Sequence, residues 1–131
     1  MSEPVAARLA SATPILFVRD VTRAAHFWRD VLGFAVDFLH GEPPFYGAVS
    51  RDGACLHLRH VHAPNFAALA AREPSLILAT IETTAVEALF AEFETRGADF
   101  PQRLVRQPWG GLDFHVRDPD GNVVSFVAFD R

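Results

Sequence analysis

With 131 residues, half of them hydrophobic, the chain can bury one sizeable core, either as a single domain or as two small, tightly joined modules. Its formal net charge of −4, with no run of basic residues, argues against nucleic acid as a partner. The single cysteine, Cys55, excludes an intramolecular disulfide framework and favours a reducing compartment. No apolar run approaches the roughly 20 residues that span a bilayer, so we expect no membrane association and a soluble cytoplasmic protein.

The two halves of the chain repeat one pattern at an offset of about 62 residues. The segments Thr13 to Thr22 and Ser75 to Thr84 are strand-like apolar runs, and each ends with an acidic residue and a threonine. An amphipathic helix is predicted after each run. A glycine just beyond each helix, Gly33 or Gly97, is a helix stop signal.

Strands and turns are predicted after each helix stop. They span residues 35–39, 45–50 and 54–61 in the first half, and 98–102, 112–116 and 123–129 in the second. Thr84 and Glu87 predict a capping box at the start of the second helix. Each half is thus a β-α-β-β-β unit, and the predicted fold class is α+β. The expected organisation is a frayed arm over residues 1–11, a first module over 12–63, a linker with a short helix over 64–74, and a second module over 75–131.

Several features of the duplicated units are typical of one superfamily. Val18-Arg19-Asp20-Val21 leads into Phe27-Trp28-Arg29-Asp30-Val31-Leu32-Gly33-Phe34, and Trp109-Gly110-Gly111 precedes the turn Asp118-Pro119-Asp120-Gly121-Asn122. At this spacing they resemble the vicinal oxygen chelate superfamily, and within it the glyoxalase/bleomycin-resistance group, over roughly residues 12–129. The resemblance implies that the two modules form a cup-shaped mixed sheet, usually completed by dimerisation. A homodimer is therefore expected.

The alternation of side chains along a strand predicts which residues face this cup. Every second residue of a strand faces the cup, and the others pack under the helices. If Phe114 packs under the helices, Asp113 and His115 face the cup. The other predicted cup-facing sets are Thr13, Ile15 and Phe17; Ser75, Ile77 and Ala79; Cys55, His57 and Arg59; and Val123, Ser125 and Val127.

The resemblance also implies where a metal ion would lie. Metal-dependent members hold their ion at the start of the duplicated strands and on the closing strands, which here are Thr13, Ser75 or Leu76, His57 and Ser125. Only His57 is a good ligand, and a divalent ion needs about three or four such donors. We therefore expect neither a metal ion nor another cofactor. No pair of nucleophile and base is recognisable, so no catalytic residue is predicted.

A cavity lined with aromatic rings is the predicted binding site. Its candidate rings are Phe17, Phe45, Tyr46 and Trp109, and its candidate polar groups are His57, Arg59, Asp113, His115 and Ser125. Core packing is an equally good interpretation of Phe17 and of Phe45, and a structural role is an equally good one of His115. The carboxylates of the Asp118 turn are predicted to be structural. Apolar pockets with a few placed polar groups are how proteins hold small organic molecules.

Three functions remain open at this stage. The first is metal-independent binding or sequestration of a small-molecule ligand at or near a dimer interface, as in bleomycin-resistance proteins, with a role in antibiotic resistance. The second is a glyoxalase- or dioxygenase-type enzyme, such as a lyase, an isomerase or a ring-cleaving oxygenase. The third is a sensor or accessory partner with a closed cup. The missing metal ligands favour the first.

Overall fold

Each half of the chain forms a strand, a helix and three further strands, so the predicted α+β class and element order are confirmed. The structure is a computed structural model that describes residues 3–130. The first two residues of the predicted arm and the last residue of the second module lie outside the described residues. The elements are β1 Ile15–Val18, α1 Val21–Asp30, β2 Ala35–Gly41, β3 Pro44–Arg51, β4 Ala54–His60, α2 Phe66–Ala70, β5 Ala79–Glu82, α3 Val86–Thr95, β6 Asp99–Gln107, β7 Gly111–Arg117 and β8 Val123–Phe129.

The strands of each half form their own four-stranded mixed sheet. The strand orders are β1-β4-β3-β2 and β5-β8-β7-β6, so the duplication seen in the sequence extends to the topology. In each sheet the first strand runs parallel to the last, and the other pairs are antiparallel. The parallel pairs set Ile15 beside His57 and Thr80 beside Ser125.

One hydrophobic core joins both sheets to α1 and α3. Leu16 and Val18 of β1 are buried in it, and they alternate with the exposed Ile15 and Phe17. The second sheet contributes residues such as Phe114 to the same core. Because both sheets turn one face to this core, their opposite faces point away from it. In the described part of the chain no helix is long and apolar enough to cross a membrane.

The Asp118 turn holds the two modules together, and its carboxylates are structural as predicted. The buried Asp118 carboxylate accepts hydrogen bonds from the backbone N–H groups of Asp120 at 2.9 Å and Asn122 at 2.8 Å. The Asn122 side-chain amide donates to the Phe17 carbonyl at 3.0 Å. The backbone N–H of Arg19 donates to the Asp120 carboxylate at 3.0 Å. One turn of the second module thus fixes the end of β1 in the first.

The predicted capping box at the second helix is wrong. The N-cap of α3 is Ala85, which has a left-handed backbone with φ of 46° and makes no side-chain cap. Thr84 lies one residue too early, because the chain reverses through Ala85 before the helix begins at Val86. At the first helix, by contrast, Asp20 is the N-cap and accepts a hydrogen bond from the backbone N–H of Arg23.

The predicted cup-facing set Ser75, Ile77 and Ala79 is also wrong. Strand β5 begins only at Ala79, and Ala79 packs against the core together with Ile81. Thr80, on the opposite face of the strand, is exposed. The linker bends at Ser75, where φ is 57°, so the alternation inferred from residues 75–78 does not carry into the strand.

Removing the Asp118 charge is expected to change how stability depends on pH. Burial raises the pKa of Asp118 from 3.8 to about 6, against the opposing effect of the hydrogen bonds from Asn122. Because the folded state binds this proton more tightly than the unfolded state, the wild type loses stability as pH rises from about 4 through about 6. Urea unfolding should therefore show Asp118→Asn gaining up to about 3 kcal/mol relative to the wild type between pH 4 and 7.

Asp99→Asn serves as the matched control, because the Asp99 carboxylate is exposed and pairs with Arg117. Its stability difference from the wild type at each pH measures the effect of removing a carboxylate from the surface. A difference for Asp118→Asn that is independent of pH would contradict the raised pKa.

Candidate functional site

Tyr46 and His57 form a hydrogen-bonded pair on the outer face of the first sheet. The Tyr46 hydroxyl lies 2.9 Å from His57 Nδ1, and the two rings meet edge to face at 5.3 Å. The Phe38 ring packs against both, at 6.4 Å from Tyr46 and 6.0 Å from His57. These contacts hold the imidazole in one orientation, whereas the ring of a surface histidine without such contacts can rotate.

Apolar side chains surround this pair and are open to solvent. Ile15, Phe17 and Phe38 are each about half exposed. The register of β1 against β4 sets Ile15 beside His57 and Phe17 beside Arg59 on one face. We call this surface the first cup face, and its residues are Ile15, Phe17, Phe38, Tyr46, His57 and Arg59. The Arg59 guanidinium donates a hydrogen bond to the His60 carbonyl at 2.8 Å.

The corresponding face of the second sheet carries a polar network centred on Asp113. Oδ1 of Asp113 accepts hydrogen bonds from the side-chain amides of Gln102 at 2.7 Å and Gln107 at 3.0 Å. Its Oδ2 lies 3.4 Å from Ser125 Oγ, which donates to it, and 3.5 Å from His115 Nε2. We call these five residues the Asp113 network. It brings together three predicted site residues, Asp113, His115 and Ser125.

Three residues of the Asp113 network are buried, although they lie on the face directed away from the core. Asp113 is only 4% exposed, and His115 and Ser125 are buried with it. Burial lowers the pKa of His115 below its usual value, and this outweighs the nearby Asp113 carboxylate, which raises it. The imidazole is therefore neutral at pH 7.

The network does not have the geometry of a nucleophilic triad. In a Ser-His-Asp triad the imidazole lies between the hydroxyl and the carboxylate. Here the Asp113 carboxylate lies between Ser125 and His115, with contacts at 3.4 Å and 3.5 Å. The arrangement positions hydrogen-bonding groups and does not activate the serine.

The Trp109 indole forms an aromatic surface next to the Asp113 network. A Cβ at position 111 would collide with its indole, so a glycine there allows the ring to lie on the sheet face. The indole also contacts the Phe129 ring at 5.8 Å. Trp109 remains 56% exposed, which leaves much of its surface for another molecule. The second cup face consists of the Asp113 network with Trp109, Val127 and Phe129.

Phe45 lies apart from the other candidate rings, which differs from its predicted place in the cup. It is at the tip of the β2–β3 hairpin, where its ring contacts His40 at 5.3 Å. Among the described residues its ring contact is with His40, whereas Tyr46 contacts Phe38 and His57. The prediction treated neighbouring rings in the sequence as one cluster.

Two residues of the network were missed by the sequence reasoning. Gln102 and Gln107 lie on β6, where the pairing with β7 shifts register between Asp99 and Gln102 and again between Gln102 and Val105. These shifts break the simple alternation that located Asp113 and His115. The available signal was a pair of amide side chains on the strand next to a cup-facing carboxylate.

The polar groups predicted to form one lining form two separate groups within a chain. Arg59 and His57 belong to the first sheet, and Asp113 and His115 belong to the second. Both sheets turn their other faces to the shared core. The two cup faces are therefore separate surfaces within one chain.

The residues at the superfamily's metal positions do not fit a divalent ion. His57 offers one ring nitrogen, Nε2, since its Nδ1 is hydrogen-bonded to Tyr46, and Ser125 offers only a hydroxyl that donates to Asp113. Thr13 precedes β1, and Ser75 lies in the linker. Within residues 3–130 no group of three or more His, Cys, Asp or Glu side chains could hold a metal ion. Hydroxyls and one imidazole do not compete with water for zinc, nickel or iron.

A cleft of about 480 Å³ lies elsewhere, between the two modules. Its walls include Phe34, Leu56, Phe93 and Phe126, and Arg51 lines it as well. None of the predicted ligand-binding residues lines it. We place the candidate site on the cup faces instead, because oriented polar pairs and exposed rings occur together there.

The fold and the two cup faces define a protein of duplicated β-α-β-β-β modules. The chain matches the model of the Glyoxalase/Bleomycin resistance protein/Dioxygenase superfamily over residues 8–126, and it belongs to this family. The predicted resemblance is thereby confirmed. No curated protein matches the chain.

Several solved structures are similar to this one. The bleomycin-binding protein from bleomycin-producing Streptomyces verticillus, in complex with copper(II)-bleomycin, has 28% identity and a TM-score of 0.73, over 95% of this chain and 100% of that chain. The bleomycin resistance determinant encoded on transposon Tn5 has 21% identity and a TM-score of 0.71, over 94% and 100%. TioX from Micromonospora sp. ML1 has 20% identity and a TM-score of 0.69, over 91% and 99%. The likenesses at 21% and 20% identity show the fold alone.

Protein purified without chelators is expected to carry little transition metal. The donor set at the family positions should leave less than about a tenth of a molar equivalent bound, because a stable site needs about three or four good ligands. Elemental analysis by mass spectrometry after gel filtration would measure this. Near-stoichiometric zinc, nickel, iron or manganese would contradict the assignment of these positions.

Proposed function

We propose that the protein binds and sequesters a small organic molecule without a metal ion, in a cup at or near a homodimer interface, as bleomycin-resistance proteins do. The observation that carries the proposal is the combination, on the cup faces, of exposed aromatic rings with polar side chains held in fixed orientations. A cytoplasmic location and a role in antibiotic resistance belong to the same proposal.

The exposed rings support ligand binding. Phe17 and Phe38 lie next to the Tyr46–His57 pair, and Trp109 lies next to the Asp113 network. Leaving such rings in water costs roughly 25 cal/mol for each Å² of apolar surface, so a partner that covers them is favoured. Sparse polar groups within an apolar lining then orient a small molecule.

The separation of the two cup faces supports a dimer. Each chain presents both halves of a lining, but on faces that point away from its own core. A second copy brings the two halves into one cup. The N-terminal arm is a further surface for such a contact, since Val5 and Leu9 are fully exposed.

Similarity to one protein makes bleomycin, a glycopeptide drug, the first ligand to test. The bleomycin-binding protein from Streptomyces verticillus is 28% identical to this chain over 95% of its length. Stoichiometric binding lowers the free drug concentration without chemistry. Such a role requires no catalytic residue, which agrees with the hydrogen-bond geometry around Ser125.

A second candidate function is an enzyme of the glyoxalase or dioxygenase kind. The contact of the neutral His115 with Asp113 at 3.5 Å favours it, because a carboxylate that orients an imidazole can support a general base. Recovery of the ligand after prolonged incubation separates the two functions. Unchanged ligand supports sequestration, and a released product supports the enzyme.

Trp109→Ala is expected to weaken ligand binding without unfolding the protein. Isothermal titration with metal-free bleomycin should show Kd rising about tenfold, because one aromatic contact contributes roughly 0.5–1.5 kcal/mol beyond its buried area. The melting temperature should fall by only a few degrees, since the side chain is on the surface. Phe45→Ala is the matched control, because that ring is 52% exposed but lies at the tip of the β2–β3 hairpin in the first sheet, whereas Trp109 lies on the second.

Three outcomes would count against the proposal. Absence of bleomycin binding by the wild type would remove the drug as ligand. Equal loss of affinity in the Trp109 and Phe45 variants would show that the cup faces are not the site. A large fall in melting temperature for Trp109→Ala would show that the indole is part of the core.

The protein is expected to be a dimer in solution. Light scattering coupled to gel filtration should give about twice the chain mass of 14.5 kDa. Covering the exposed apolar side chains of the cup faces and the arm is the physical reason. A monomer at every concentration tested would contradict a cup completed by two chains.

A further inference from the structure

We propose that the Asp113 network binds a cationic group of the ligand. An amidinium or a guanidinium fits the site best, and an ammonium is the simplest group of this class. This inference rests on the proposed function and names part of its ligand. It predicts a recognition site on the second cup face that is made of the Asp113 carboxylate and the two glutamine amides.

The Asp113 carboxylate has no arginine partner in the described part of the network. Its neighbours there are the amides of Gln102 and Gln107, the Ser125 hydroxyl and the His115 imidazole. The arginines of the same sheet are engaged elsewhere: Arg103 with Glu94, Arg106 with Asp130 and Arg117 with Asp99. The charge of Asp113 is therefore solvated by neutral groups.

His115 does not neutralise this charge at pH 7. Its pKa is lowered chiefly by burial, and the Asp113 carboxylate only partly reverses the effect. The network thus keeps a net negative charge while Asp113 is only 4% exposed. A cation at hydrogen-bonding distance gains a charge-assisted bond in a site where water screens poorly.

Gln107 occupies the position that a ligand donor would take. Its Nε2 lies 3.0 Å from Asp113 Oδ1 and 3.2 Å from Gln102 Oε1. Gln107 is the last residue of β6 and is only half-buried, so its side chain can move away from Asp113 towards solvent. A planar N–H₂ group of an amidinium or a guanidinium would then face the same two oxygens. The carboxylate would exchange a neutral donor for a charged one.

Trp109 adds a second attraction for a cation. The indole lies over Gly111, which is two residues before Asp113 on the same strand face, about 7 Å along the strand. A cation near an indole face is stabilised by the ring quadrupole. Carboxylate and ring therefore favour the same class of ligand group.

Benzamidine and benzamide provide a matched pair of probes, because they share shape and ring and differ in charge. Proton NMR titration would follow the His115 ring C–H signals, assigned with His115→Gln. Benzamidinium is expected to shift these signals saturably, with a Kd roughly tenfold lower than that of benzamide. Equal affinities, or no shift of His115 by either probe, would overturn the proposal.

Asp113→Asn removes the charge and nearly preserves the shape. In this variant the two probes should bind with affinities within about twofold of each other. Asp99→Asn is the control, because its exposed carboxylate lies at the other end of the β6–β7 pair and should leave the preference unchanged. A preference for benzamidinium that survives in Asp113→Asn would overturn the proposal.

Gln107→Ala tests the same site without altering its charge, and it remains informative if Asp113→Asn fails to fold. Removing the competing amide should tighten benzamidinium binding about threefold. Unchanged or weaker binding would contradict the exchange of donors. If bleomycin binds in a Trp109-dependent manner but the probes do not differ, this inference fails and the proposed function stands. If the probes differ but bleomycin does not bind, this inference stands, and the ligand is another molecule with a cationic group.

Discussion

The hydrophobic core shared by the two sheets is the constraint on which the rest of the molecule depends. Its largest side chains are almost completely buried, and through them both sheets pack against the same two helices. These side chains are Trp28, Phe93, Phe114 and Phe126. Because strand side chains alternate, burial of Phe114 obliges Asp113 and His115 to lie on the opposite face. A slip of one residue would drive a carboxylate into the core and a phenylalanine into water, which strongly specifies this register.

The same constraint explains how much of the site could be predicted from the sequence. Alternation around Leu16, Leu58 and Phe114 located Phe17, His57 and Asp113 on the cup faces, since each strand has an unambiguous buried side. It failed for Ala79, where a left-handed residue at Ser75 interrupts the chain just before the strand. Backbone reversals of this kind depend on local dihedral angles that hydrophobic periodicity does not encode.

Side-chain partners are less predictable than faces. The amides of Gln102 and Gln107 reach Asp113 from β6, whose pairing with β7 is irregular. The two amides cover the Asp113 carboxylate and exclude water from it, so these contacts bury the carboxylate. The sequence predicted Asp113 as a polar group that faces the cup, and the structure shows its carboxylate buried among neutral hydrogen-bonding groups. That difference changes its chemistry, since a buried charge discriminates between cationic and neutral groups more sharply than an exposed one.

The two cup faces differ in character, and this limits the ligand that one cup can hold. The first offers the rings of Phe17 and Phe38 beside the Tyr46–His57 pair, and the second offers an acceptor-rich network with a single indole wall. If the proposed dimer sets a first cup face opposite a second, a molecule between them meets apolar rings on one side and negative charge on the other. A flat aromatic body with a nitrogen cation at one end satisfies both surfaces at once. A purely apolar molecule would leave the Asp113 charge uncompensated, and a small polar metabolite would leave the rings in water.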